Sequence, residues 1–282
     1  MKKLFLIACL VAFTYTASAQ IEAPQPSPFS KIEQKVGLTD VTLEFSRPGV
    51  KGRTVFGDLV PFGKVWRTGA NANTKITFST DVTVNGQTLK AGSYAIYTIP
   101  NKDKWEVMFY ADSNNWGTPR KWDDSKVVAK ASADVIPMPV NIETFTISFD
   151  DLTNNSGIIG ILWEKTYVGV QFETPTDKGV MASINKVMGG PSANDYYAAA
   201  VYFKEQGKDM AQAVKWIDKA IEMTKERPRF WFYRQQSLIH AKAGNKKNAI
   251  AAAKTSLELA TKAGNADYMK MNKDSLKKWG AL

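Results

Sequence analysis

The chain has 282 residues, with 37 Lys and Arg against 27 Asp and Glu, a formal net charge of +10, and one cysteine and one histidine. That inventory excludes a disulfide framework and a thiolate metal centre, and triads that use histidine, multi-histidine zinc sites and copper sites lack their residues. No glycine-rich nucleotide cradle of the dinucleotide or P-loop spacing occurs either, so no cofactor is expected.

Met1, Lys2 and Lys3 make a positive start, Leu4 to Phe13 an apolar stretch, and Ala17-Ser18-Ala19 a small-residue cleavage site. A signal peptide over residues 1–19, cut between Ala19 and Gln20, is expected, with a periplasmic or secreted product. The apolar stretch is about half the roughly 20 residues a bilayer span needs, and no other span follows, so the mature chain carries no transmembrane segment. Leu6-Ile7-Ala8-Cys9 is similar to a lipoprotein cleavage box, but the apolar run continues through Leu10, Val11 and Phe13, which argues against lipidation at Cys9. Residues 20–29 are proline-rich and read as an extended leader.

From residue 30 to 177 the hydrophobic period is two. Val41, Leu43 and Phe45 alternate with polar residues, as do Phe145, Ile147 and Phe149, and Val168, Val170 and Phe172. Ile76 with Phe78, Val82 with Val84, Tyr94 to Ile99, and Trp105, Val107 and Phe109 continue the pattern, with turn signals at Asn85-Gly86, Ala91-Gly92 and Pro100-Asn101. Eight to ten short strands with no helix among them predict an antiparallel β-sandwich or jelly roll.

Over residues 178–282 the period becomes helical. Five helices are predicted, at residues 194–206, 210–225, 229–243, 246–262 and 266–278, with breaks at Gly207, Pro228, Gly244 and Gly264. Gly207, Ala213 and Ala220 are echoed by Gly244, Ala249 and Ser256, a spacing similar to tetratricopeptide repeats. Two such units are fewer than such arrays need alone, so the tail is expected to lean on the β domain. His240, inside the third predicted helix, reads as a packing or surface residue. The charge sits here too: residues 181–282 hold 18 basic and 9 acidic residues, whereas residues 20–180 hold 17 and 18. A basic tail can attract an acidic protein or anionic lipid, and export makes nucleic acid the least fitting partner; solvated helix faces are the plainer reading.

Two carboxylates would suffice for a glycosidase, but Asp123-Asp124 and Asp150-Asp151 are each adjacent in sequence and point to opposite strand faces, and Asp150 to Gly157 reads as a polar hairpin turn. Among the tryptophans, Trp105 and Trp163 lie in strand patterns, while Trp116 and Trp122, in a loop-like stretch, are candidate sugar platforms. The densest segment runs from Ser46 to Thr74. It sets Arg47, Lys51, Arg53, Lys64 and Arg67 against the single acid Asp58, beside Trp66, Asn71, Asn73 and Thr74. Clustered guanidinium groups next to amides can hold a carboxylate, phosphate or sulfated sugar. The alternative is a long connection whose arginines satisfy backbone carbonyls.

The same segment, SRPGVKGRTVFGDLVPFGKVWRTGANANT, with the AGSYAIYTIP hairpin, the strand at Trp105 and LWEK at Trp163, resembles the exported bacterial family called domain of unknown function 2911. The resemblance covers roughly residues 25 to 175; it implies an exported β domain and carries over no catalytic residue. Helical repeats of the tail's kind imply a protein partner by analogy. The sequence reading is therefore a non-enzymatic binding or scaffolding protein of the cell envelope. The alternatives are a carbohydrate-active hydrolase and a purely structural envelope protein.

Overall fold

The computed structural model describes residues 23–282 and divides at Thr176/Asp177 into two compact units. The predicted signal peptide, its cleavage point at Ala19–Gln20, and Cys9 lie outside the described residues.

In the first unit, nine strands are hydrogen-bonded in the order β1-β2-β3-β6-β7-β8-β9-β4-β5, every pair antiparallel. They are β1 Phe29–Val36, β2 Thr39–Ser46, β3 Ala70–Phe78, β4 Val82–Val84, β5 Gln87–Leu89, β6 Gly92–Ile99, β7 Lys104–Tyr110, β8 Val127–Asp150 and β9 Ser156–Glu173. The alternation of Val41, Leu43 and Phe45 puts all three in the core, and Asn85-Gly86, both at positive φ, turns β4 into β5. β1 enters β2 through Gly37 at φ +57, where a Cβ would meet Thr176 Oγ1 at 1.9 Å and the Asn154 carbonyl at 2.2 Å. Only glycine fits that crossing.

Not all strands are short, as the sequence had suggested: β8 has 24 residues and β9 has 18. β8 pairs with β7 through Asp134 and with β9 from Val135 onward, and its register shifts between Pro137 and Thr146. There Phe145 N donates to Pro48 O and Val50 N to Glu143 O, so the connection after β2 clasps the irregular stretch. That stretch is largely exposed on both faces and includes Pro137 and Pro139, so it shows no alternation to read. By passing from one set of partners to the other, β8 lets the two halves of the sheet share one core. Phe78 of β3 meets Phe172 of β9 at 5.7 Å, and Leu43, Ile76, Trp105, Phe145 and Trp163 fill the space around them. Each such fully buried side chain stabilises the unit by roughly 1.5–3 kcal/mol. On the outer face of β6 and β7, Tyr97, Met108 and Tyr110 form a smaller apolar cluster with Trp122.

Six helices, not five, follow among the described residues: α1 Thr176–Val187, α2 Ala193–Glu205, α3 Met210–Met223, α4 Phe230–Lys242, α5 Lys246–Lys262 and α6 Ala266–Lys278. α1 was not among the predicted helices: its apolar side chains are short of full burial, although Met181 and Ile184 pack half-buried against the helical core. A capping box of Ser192 with Asp195 starts α2, Asp209 caps α3 and Asn265 caps α6. From α2 onward each helix packs on its successor, and α4 also touches α2 and α6. Ala213, Ala220, Ala249 and Ser256, the small residues of the internal echo, are all fully buried, while Gly207 and Gly244 turn the chain at positive φ. His240 is buried in this unit, its Nε2 3.0 Å from Asp218 Oδ1. Among the described residues no helix is long and apolar enough to cross a membrane.

Candidate functional site: a cationic cleft beside an aromatic one

Residues 47–69 carry almost no regular structure, so their backbone groups need partners from outside. Arg47 supplies one anchor: Nε donates to Phe145 O at 2.9 Å and Nη2 to Thr146 Oγ1 at 2.8 Å. Arg53 folds back, Nε to Val50 O at 2.9 Å and Nη2 to Gly49 O at 2.6 Å. Glu164 of β9 accepts from Val55 N at 2.9 Å, and Glu143 of β8 accepts from Lys51 N at 2.8 Å. Trp66 is tied to Thr98 by two backbone bonds. Its ring stacks on Trp163 at 5.9 Å and packs edgewise on Trp105 and Phe145.

These anchors shape a cleft of about 460 Å³ with Lys51, Arg53, Trp66, Arg67 and Trp163 among its walls. Among the described residues no Asp or Glu lines it. Arg67 is its distinctive member. The guanidinium makes no hydrogen bond or ion pair among the described residues, and its Nε is buried without a partner. Gly117 lies over it at φ +90, where a Cβ would come within 3.2 Å of Arg67 Nη1. The next residue, Thr68, is fully buried at φ +55, a conformation that costs a β-branched residue roughly 1–3 kcal/mol. Its carbonyl accepts from Thr74 Oγ1 and its hydroxyl bonds Thr98 Oγ1 at 3.1 Å, contacts that hold the backbone there.

A second cleft, of about 300 Å³, is walled by Phe29, Asn73, Ser113, Asn114 and Trp116 together with the ion pair of Lys75 and Glu44 at 2.9 Å. Asn73 is buried and builds this wall. Its Nδ2 donates to Ser113 O at 2.9 Å and Thr74 O at 3.0 Å, and its Oδ1 accepts from Asn115 N at 2.6 Å. Asn71 Nδ2 reaches Gln25 Oε1, Ser27 O and Ser46 Oγ, each at 3.2 Å, pinning the leader across the start of β3.

The residues singled out from sequence thus divide. Lys51, Arg53, Trp66 and Arg67 meet in the cationic cleft, and Asn73 and Trp116 in the second. Arg47 and Asn71 are anchors, and Trp122 packs on Tyr97 and Tyr110 with its Nε1 bonded to Asp124 Oδ1. Sequence reasoning passed over Phe29, whose only signal was a large apolar residue in a proline-rich leader, and Gly117. Asp150 ends β8 at the expected hairpin, where its Oδ2 accepts from Ser148 Oγ and Tyr167 Oη, both at 3.0 Å. Burial, and then the bond to Asp150, push the Tyr167 hydroxyl up to about 12. A third cleft, of about 330 Å³ between β4, β8 and β9, holds one carboxylate, Glu173. Among the described residues no cluster of three or more His, Cys, Asp or Glu side chains could hold a metal.

Fold and site together define an antiparallel β domain with a cation-lined cleft, followed by a helical region. The chain belongs to the family described as protein of unknown function (DUF2911), whose model matches residues 27–172, the whole of the clefts' lining apart from Pro26 and the last strand residue, Glu173. No curated protein and no solved structure matches the chain.

Proposed function

We propose that the protein is exported after cleavage between Ala19 and Gln20 and that its β unit is a non-enzymatic receptor for an anionic ligand. Arg67 makes the primary contact, and Lys51 and Arg53 supply the surrounding positive field. The carrying observation is a cleft that, among the described residues, is walled by three cationic side chains and no carboxylate, and in which Arg67 Nε is desolvated with no partner among them. An unmet charged donor costs about 1–3 kcal/mol, and a carboxylate, phosphate or sulfate oxygen would remove that cost on binding. Strain at Thr68 beside it supports the same reading, since such backbone persists where the surroundings enforce it for use. The second and third clefts hold one carboxylate each among the described residues, Glu44 and Glu173, which favours binding there over the two-acid chemistry of glycoside hydrolysis. The basic helical unit serves in this proposal as the docking surface for an acidic protein partner.

Calorimetric titration of residues 20–282 with inorganic sulfate and phosphate tests the receptor. Saturable binding is expected, at least tenfold weaker in Arg67→Met and weakened less in Lys51→Met. Absence of binding, or equal binding by Arg67→Met, refutes the proposal.

A further inference from the structure

The two clefts border one another along three stretches of chain. Pro26 and Ser27 line the cationic cleft and Phe29 the second; Ala70 lines the first and Ala72 and Asn73 the second; Thr118 lines the first and Trp116 the second. A step of two residues moves the chain by at most about 7.6 Å, so each stretch carries a wall of one cleft within a sugar ring's reach of the other.

Their chemistry differs sharply. In the second cleft Trp116 is 79 % exposed and Phe29 63 % exposed, and neither ring stacks on another aromatic among the described residues. Asn114 makes no hydrogen bond among them, and Lys75 and Glu44 neutralise each other. Open aromatic faces beside the free amide of Asn114 in a neutral setting suit a ring with an apolar face and hydroxyl edges. An unpaired guanidinium next door suits an acid group.

Resting on the anion-receptor reading, we infer that the ligand is an acidic oligosaccharide that spans both clefts, its carboxylate or sulfate on Arg67 and a sugar ring against Trp116 and Phe29. An acidic peptide is the competing occupant. It would use the cationic cleft equally well but has no ring face to set on Trp116.

The test titrates the mature protein with inorganic sulfate, with heparin-derived and hyaluronan-derived tetrasaccharides, with uncharged chitotetraose and with tetraglutamate. At least one acidic tetrasaccharide should bind tenfold or more tightly than sulfate, and chitotetraose should bind far more weakly. Trp116→Ala should weaken that tetrasaccharide about tenfold, the value of one good ring contact, and leave sulfate unchanged. Trp116 is exposed, so its loss leaves the core intact, and near-ultraviolet circular dichroism verifies the fold. Sulfate binding with no added affinity from either saccharide, or with no effect of Trp116→Ala on saccharide binding, overturns this inference and leaves the anion site standing. So does tetraglutamate binding as tightly as the saccharides. No binding of sulfate or of either acidic saccharide overturns the anion site and this inference together.

Discussion

Replacing Arg67 by methionine should make the ligand-free protein more stable while removing its affinity for anions. The buried, unpartnered Nε of Arg67 is a standing cost of about 1–3 kcal/mol, and methionine keeps most of the apolar stem beneath Gly117 without a donor to satisfy. Relief of repulsion from Lys51 and Arg53 adds less than about 1 kcal/mol, since both are exposed and screened. Allowing for imperfect packing of the new side chain, the net gain is about 1 kcal/mol. For a unit of this size that raises the melting temperature by roughly 2–4 °C. Differential scanning calorimetry of both proteins without ligand and then with excess sulfate separates the two effects. Wild type should melt higher with sulfate, because a ligand of the folded state stabilises it by mass action, whereas the variant should rise by clearly less, only by the general salting-out effect of sulfate and its weakened binding. A variant that melts lower than wild type, and that sulfate stabilises as much as it does wild type, would make Arg67 a structural residue and refute the reasoning.

Asn73→Ala removes three hydrogen bonds and leaves Ser113 O and Asn115 N unmet; a loss of about 2–4 kcal/mol in denaturant unfolding is expected, with faster amide exchange in residues 111–118. Gly37→Ala combines a left-handed backbone with overlaps on Thr176 and Asn154, so it should cost at least about 3 kcal/mol, seen as a lowered denaturation midpoint; an unchanged midpoint would show that this turn can relax. Burial pushes the Tyr97 hydroxyl up to about 12, against about 10 in an unfolded chain. Its folded state therefore keeps the proton that the unfolded state loses, so stability should be flat below about pH 10 and fall between about pH 10 and 12. The slope should be shallower in Tyr97→Phe, and an identical slope would assign the effect to other tyrosines such as Tyr167 and Tyr202, also raised to about 12.

Much of the β unit was readable from residues because its signal is local. Leu43, Phe109, Ile147 and Phe172 occupy alternate positions and all reach the core, and Asn85-Gly86 turns where such a pair can. Helices with an apolar stripe or small buried residues were readable for the same reason. α1 was not, because its stripe is short, Val180, Met181 and Ile184 beside Gly179, and only half-buried. The middle of β8 was hidden because a strand changing partners on an exposed edge has no alternation to display.

For the site, the order of residues alone determined that cationic and amide side chains crowd one glycine-punctuated stretch with a single acid. Which of them are spent and which are free was decided only by tertiary structure. Arg47 and Arg53 are chemically alike in sequence to Arg67, but the first two find carbonyls of Phe145, Val50 and Gly49, whereas Arg67 is carried under Gly117 to a place where its Nε meets no acceptor among the described residues. Trp66 and Trp122 were joined to a packed cluster each, and Trp116 was left open. Phe29 came to wall the same cleft as Trp116 although the two are far apart in the chain. Residue type and spacing act over a few positions, and those fates depend on which distant backbone arrives beside each side chain, which is settled by strand pairing and by the shared core.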